Sequence, residues 1–173
     1  NFHIFVVANT TENINYVYMY DERGGGKGAN EMCSLRFVHH LKKWIESRDS
    51  AQPYSTFVMV MDNCVGQNKS HVCMLFGCLL SLLFYRKVVF FFLPSGHSHM
   101  PADRVVGWIR AALQRKVGFG TDGNLYLPEH YIDLMNTIKS VKARFLDHNA
   151  PEFELYSGWD ELLHKILTPI PAD

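Results

Sequence analysis

Residues Thr56–Leu93, TFVMVMDNCVGQNKSHVCMLFGCLLSLLFYRKVVFFFL, hold two short apolar runs with a longer apolar segment between them. Thr56 to Met61 is a continuous run ending in Asp62, the pattern of a strand covered on both faces. Val88 to Leu93 reads as a second central strand. Between them Ser70 can cap a helix whose interior, Val72 to Tyr85, is apolar nearly all round, and a helix of that length makes a crossover between parallel strands. The expected fold is therefore α/β, with the two runs as adjacent parallel strands. The same segment looks membrane-like from Val72 to Leu93, but Arg86 and Lys87 split it into pieces of 14 and 6 residues. A bilayer span needs about 20, so a buried helix followed by a buried strand is the reading, and no membrane partner is expected.

Working outward, Phe2 to Val7 and Asn15 to Tyr20 are rich in β-branched and aromatic residues around a turn-forming stretch, Ala8 to Asn13, which predicts an antiparallel hairpin. A glycine-rich loop, Asp21 to Gly28, precedes a helix over Asn30 to Glu46, where Leu35, Val38, Leu41 and Ile45 recur at helical spacing as a face for the sheet. Downstream, Pro94 and Gly96 stop the second strand, and Pro101 opens a helix to about Lys116 with Val105, Ile109 and Ala112 as its buried stripe. Beyond Gly118 to Gly123, helices are expected at Glu129 to Ser140 and Trp159 to Leu167.

The chain has 173 residues, 47% of them hydrophobic, and its 17 Lys+Arg balance 17 Asp+Glu. That length and composition suit one domain with one core and exclude disordered, collagen-like and acidic- or basic-tail classes. Zero net charge supplies no general attraction to phosphate, so a nucleic-acid binder would have to gather its basic residues on one face. Cys33, Cys64, Cys73 and Cys78 form no C-x-x-C pair, which reads as reduced, intracellular thiols rather than a structural zinc site. The N-terminus shows no signal-peptide pattern.

Two acids stand where chemistry would be placed. Asp62 closes the first strand, and Asp103 lies in the first turn of the helix after the second. Parallel neighbouring strands would bring both to the carboxyl edge of the sheet, the usual location of sites in open α/β sheets. With His97 and His99 in the intervening loop, the set could hold a hard divalent ion, Mg²⁺ or Mn²⁺, and supply an imidazole ligand or proton shuttle. Taken singly, Asp62 is also an ordinary strand-end turn former and Asp103 an ordinary helix N-terminal acid. Asn63, Gln67, Asn68 and Lys69 beside Asp62 could orient the acid or touch a phosphate, or could form a plain polar loop. Arg110 and Gln114 share the helix face of Asp103, with Gly107 leaving room and Arg104 and Arg115 flanking it. This strip suits a nucleic-acid backbone; a solvated helix face is the plainer reading.

Met61-Asp62-Asn63-Cys64-Val65-Gly66-Gln67-Asn68-Lys69 and Gly96-His97-Ser98-His99-Met100-Pro101-Ala102-Asp103 resemble the paired D-N-C-x-G-Q-N-K and G-H-[ST]-x-x-x-x-D signatures of a eukaryotic transposase-derived domain of unknown function with a ribonuclease H-like fold. Tyr20-Asp21-Glu22 and Lys27 to Glu31 resemble its acidic-glycine segment, and the likeness covers roughly Asn1 to Arg115. The resemblance implies a mixed central sheet with helices on both faces and a core over residues 1–116; residues 117–173 read as a mainly helical extension within the same single domain. It implies nuclease or DNA strand-transfer chemistry with Mg²⁺ or Mn²⁺, DNA as partner, no small-molecule cofactor, and a nuclear location. Asp62 and Asp103 match the second and third acids of such a fold, and His97 matches the signature histidine. The strand bearing the first acid would precede Asn1, so weak metal binding and little activity are expected of this chain alone.

Other readings compete. A domesticated, non-catalytic nucleic-acid-binding or protein-interaction module would keep the fold without turnover. Gly24 to Ala29 fits G-x-G-x-x-A, but its acidic partner should follow about 20 residues on, and Asp62 is 33 beyond Ala29. Gly96-His97-Ser98-His99 resembles the G-H-x-H of metallophosphoesterases, without their D-x-H and N-H-[DE] companions. Nothing in the sequence predicts a lowered thiol pKa, so a cysteine nucleophile is unsupported.

Overall fold

The computed structural model describes residues 1–23, 26–47, 55–64, 68–94, 100–118, 127–150 and 158–167. Its elements are β1 (Phe2–Asn9), β2 (Ile14–Asp21), α1 (Ala29–Ser47), β3 (Thr56–Met61), α2 (His71–Leu83), β4 (Lys87–Phe92), α3 (Pro101–Gly118), α4 (Pro128–Asn136), β5 (Val141–Leu146) and α5 (Trp159–Ile166). The described strands form two sheets, β1-β2-β5 and β3-β4, rather than the single central sheet expected. They belong to two compact units, Asn1–Gly24 with Ser98–His148, and Gly25–His97 with Asn149–Asp173.

In the first unit, β1 and β2 make the expected antiparallel hairpin, from Phe2 opposite Asp21 to Asn9 opposite Ile14. The turn is built locally: Asn9 Oδ1 accepts the N–H groups of Thr11 and Glu12, and Asn13 takes φ 55°, a conformation asparagine tolerates. β5 runs parallel to β2, Asn15 beside Val141 through Tyr20 beside Leu146. This strand was not legible as one: the helix expected over Glu129 to Ser140 ends at Asn136, and Ser140 turns the chain at φ 62°. Val17, Met19, Val105, Ile109, Met135 and Val141 form the core, so the α3 stripe read from the sequence is the one buried.

In the second unit β3 and β4 are parallel neighbours, Thr56 beside Lys87 through Met61 beside Phe92, joined by α2 as expected. Ser70 caps α2, its side chain accepting from the Cys73 N–H. Coverage differs from expectation. Met59 and Met61 are buried, whereas Val58, Val60 and Phe91 are about half exposed, so the pair is not covered on both faces. α2 likewise buries one face, Cys73, Phe76, Gly77 and Leu80, and leaves Leu82 and Leu83 exposed. The core joins β3 and α2 to Cys33 of α1 and to Trp159 and Leu163 of α5. In the C-terminal segment, α4 and α5 are accompanied by β5, which pairs with β2 in one sheet, while α5 contributes Trp159 and Leu163 to the other core. On α1 the expected stripe is only partly right, because Ile45 is exposed while Arg36, His39 and His40 are buried.

Gly77 sits where α2 crosses β4, and a Cβ there would be driven into the Phe90 ring. Gly77→Ala should gain about 1 kcal/mol of helix propensity and lose more, up to about 3 kcal/mol, to overpacking. The expected outcome is a lower urea midpoint, with Gly77→Val lower still; an unchanged or raised midpoint for both would contradict this packing.

Candidate functional site

Asp62 stands immediately after β3, at the carboxyl end of the parallel pair. Its Oδ1 accepts the Asn68 Nδ2 amide at 2.6 Å and the Cys64 backbone N–H at 3.3 Å. The second contact is a strand-end turn; the first ties the acid to the loop that leads into α2. Asn68 Oδ1 in turn accepts Arg36 Nη2 at 2.5 Å, and Arg36 Nη1 donates to Cys73 Sγ at 3.1 Å. Arg36 is buried at 8% exposure, Asp62 and Asn68 are half-buried, and Asn63 and Lys69 are exposed. The Lys69 N–H donates to the Cys64 carbonyl at 2.9 Å, and the Lys69 ammonium lies 5.9 Å from the Phe92 ring centroid. Of the polar residues expected beside Asp62, Asn68 orients the acid, while Asn63 and Lys69 face solvent.

Asp103 belongs to the other unit and has a different occupation. Its Oδ2 accepts the Met100 backbone N–H at 2.9 Å, with Pro101 as the first helical residue. An acid at the third helical position reaching back to the preceding N–H is half of a capping box. On the same helix Arg104, Gly107, Arg110, Gln114 and Arg115 are all exposed, opposite buried Val105, Ile109 and Ala112. The open strip expected of α3 is thus present as a surface. His97, His99 and Gln67 lie outside the described residues.

Sequence reasoning missed Arg36 and the two buried histidines of α1. Arg36 has one local signal: it is three residues from Cys33 and four from His40, on a helix face that turns inward. His40 Nδ1 lies 2.8 Å from the Tyr85 hydroxyl, and burial, with His39 and Arg36 nearby, pushes its pKa from 6.5 down to about 3. The Cys33 thiol is pushed up to about 12, mainly by burial, and is no nucleophile at neutral pH. Cys73 is buried as well, and Cys64 is half-buried. No helix among the described residues is long and apolar enough to cross a membrane.

The fold and site so far define a mixed α/β chain with a braced carboxylate at the end of a parallel strand pair. Residues 9–122 match the family described as a domain of unknown function, DUF7869, and the chain belongs to that family. No curated protein and no solved structure matches it.

Proposed function

We propose that the chain is a transposase-like nuclease core with a ribonuclease H-like fold, engaging DNA and taking part in phosphodiester hydrolysis or strand transfer, with Asp62 as its working carboxylate. The observation that carries the reading is the setting of Asp62: a half-buried acid at the carboxyl end of a parallel pair, one oxygen fixed by a side-chain amide that a buried arginine holds. Ligand sites in open α/β sheets gather at such strand ends. Asn63 and Lys69 beside it, and Arg104, Arg110 and Gln114 on the open face of α3, are of the types that contact a phosphate backbone.

Nuclease chemistry of this kind uses Mg²⁺ or Mn²⁺ held by several carboxylate oxygens. Asp62 offers one carboxylate with Oδ1 already engaged, and the described residues hold no group of three His, Cys, Asp or Glu side chains suited to a metal ion. They do not by themselves fit a two-metal cage. What Asp62 contributes alone is a fixed negative charge and a second oxygen able to accept a proton or hydrogen bond.

Incubated with end-labelled DNA, the purified chain should give slow cleavage or joining. Asp62→Asn should cut that rate by about 10²-fold or more, the size of effect expected for a positioned acid–base group. Cleavage indifferent to Asp62→Asn would refute the assignment. A second reading, a non-catalytic nucleic-acid-binding or interaction module, is favoured by one observation: Asp103 serves to cap α3. DNA binding without turnover under all these conditions would make it the better account.

A further inference from the structure

We infer that Arg36 is a positioning residue for Asp62, acting through the Asn68 side chain; the catalytic meaning of this relay rests on the function proposed above, but its geometry does not. The three groups form one line of polar contacts: Arg36 Nη2 to Asn68 Oδ1 at 2.5 Å, then Asn68 Nδ2 to Asp62 Oδ1 at 2.6 Å. A neutral amide between a guanidinium and a carboxylate has only one favourable orientation. Its oxygen must face the cation, which has donors only, and its NH₂ must face the anion, which has acceptors only. Flipping the amide would set like poles together at both ends, so the two charges fix the Asn68 side chain and Asn68 fixes the acid.

Arg36 is itself held. It is buried, rises from α1, and places its other terminal nitrogen on Cys73 Sγ, in the first turn of α2. One side chain therefore links α1, the loop after β3 and the start of α2 to a single carboxylate oxygen. A buried fork engaged at both terminal nitrogens is a much stiffer support than a loop residue alone, and charge-assisted hydrogen bonds are the stronger kind. Because both the Asn68 amide and the Cys64 N–H meet Oδ1, the geometry points to Oδ2 as the atom Asp62 turns to its task. An acid displaced by even about 1 Å can lose about 10²-fold in rate, so this bracing matters to chemistry and not to stability alone.

The relay separates from a purely structural role in a double-mutant comparison. DNA cleavage should fall about 10²-fold in Asn68→Ala and by a similar factor in Arg36→Met, with the loss in kcat rather than KM. In the Asn68→Ala background, Arg36→Met should then cost nothing further in rate, although it still lowers the melting temperature. Rate effects that multiply would overturn the proposal. The second measurement does not depend on turnover: the Asn68 side-chain NH₂ resonances, identified by their loss in Asn68→Ala, should shift and lose protection from solvent exchange in both Asp62→Ala and Arg36→Met. Arg36→Lys, which keeps a donor on a long stem, should move them less and serves if Arg36→Met fails to fold. Resonances indifferent to both Arg36 variants would refute the relay. Resonances that respond as expected in a chain that never cleaves DNA would keep the relay and reject the nuclease reading.

Discussion

Trp159→Ala should destabilise the protein by about 3–5 kcal/mol, the range for truncating a buried tryptophan. The indole opens α5 and is 3% exposed, packed against the Phe37 ring at 5.3 Å and edge-on to Phe76 at 5.3 Å and 84°. Its Nε1–H donates to Ser34 Oγ at 2.7 Å, so one side chain ties α5 to both α1 and α2. Truncation to alanine removes the ring contacts and leaves a cavity lined by Phe37 and Phe76, and it withdraws the donor that Ser34 receives. The two losses differ in size. A neutral hydrogen bond contributes about 1 kcal/mol, so the packing term dominates, and Trp159→Phe, which keeps most of the volume, should cost far less than Trp159→Ala. Against a total stability of about 5–15 kcal/mol, the alanine variant should show a large fall in urea midpoint by circular dichroism. A shift equal to that of Trp159→Phe would show that the ring is not a core element.

The parts of this fold that the sequence made legible are those whose signals are local. Two apolar runs around a Ser-capped helix could hardly form anything but a parallel pair with a crossover, and β3, α2 and β4 follow that reading closely. What an apolar run does not encode is whether one face or two will be covered: Val58 and Val60 look the same as Met59 and Met61 in sequence, and only neighbours brought from elsewhere distinguish them. β5 carries a strand signal in the alternation of Val141, Ala143 and Phe145 with Lys142 and Arg144, but it follows a helical segment directly, without a proline or glycine to mark the change of period. The site divides in the same way. Asp62 and its polar loop stand next to each other in the chain, whereas Arg36 reaches them from 32 residues before Asn68 and reads as an ordinary helix-surface cation until α1 is seen to turn it inward. Asp103 admits two readings in the sequence, and its bond to the Met100 N–H gives it a structural duty.

Acid should unfold this protein through His40. The ring is 4% exposed, lies edge-on to Phe57 with centroids 4.5 Å apart and to Tyr85 at 5.6 Å, and has His39 beside it at 5.4 Å. Burial is the largest cause of its lowered pKa, followed by the unfavourable proximity of His39 and Arg36, and together they push it to about 3. In the unfolded chain the same imidazole takes up a proton near pH 6.5. Between those values the unfolded state binds the proton that the folded state refuses, so stability rises with pH across that window. His40 therefore costs nothing above about pH 7, and folding loses about 1.4 kcal/mol for each unit that the pH falls below 6.5, until the folded protein itself protonates near pH 3. At pH 5 the loss is about 2 kcal/mol from this residue alone, a substantial part of an ordinary protein's stability. Urea titrations from pH 7.5 to 4.5 should show the loss in the wild-type chain, and His40→Gln, which keeps a polar side chain for the Tyr85 hydroxyl but carries no titrating ring, should flatten the curve over the same range. Parallel pH profiles for the two proteins would mean that His40 takes up its proton in the folded state as readily as in the unfolded one, and that the pocket between α1, Phe57 and Tyr85 admits water.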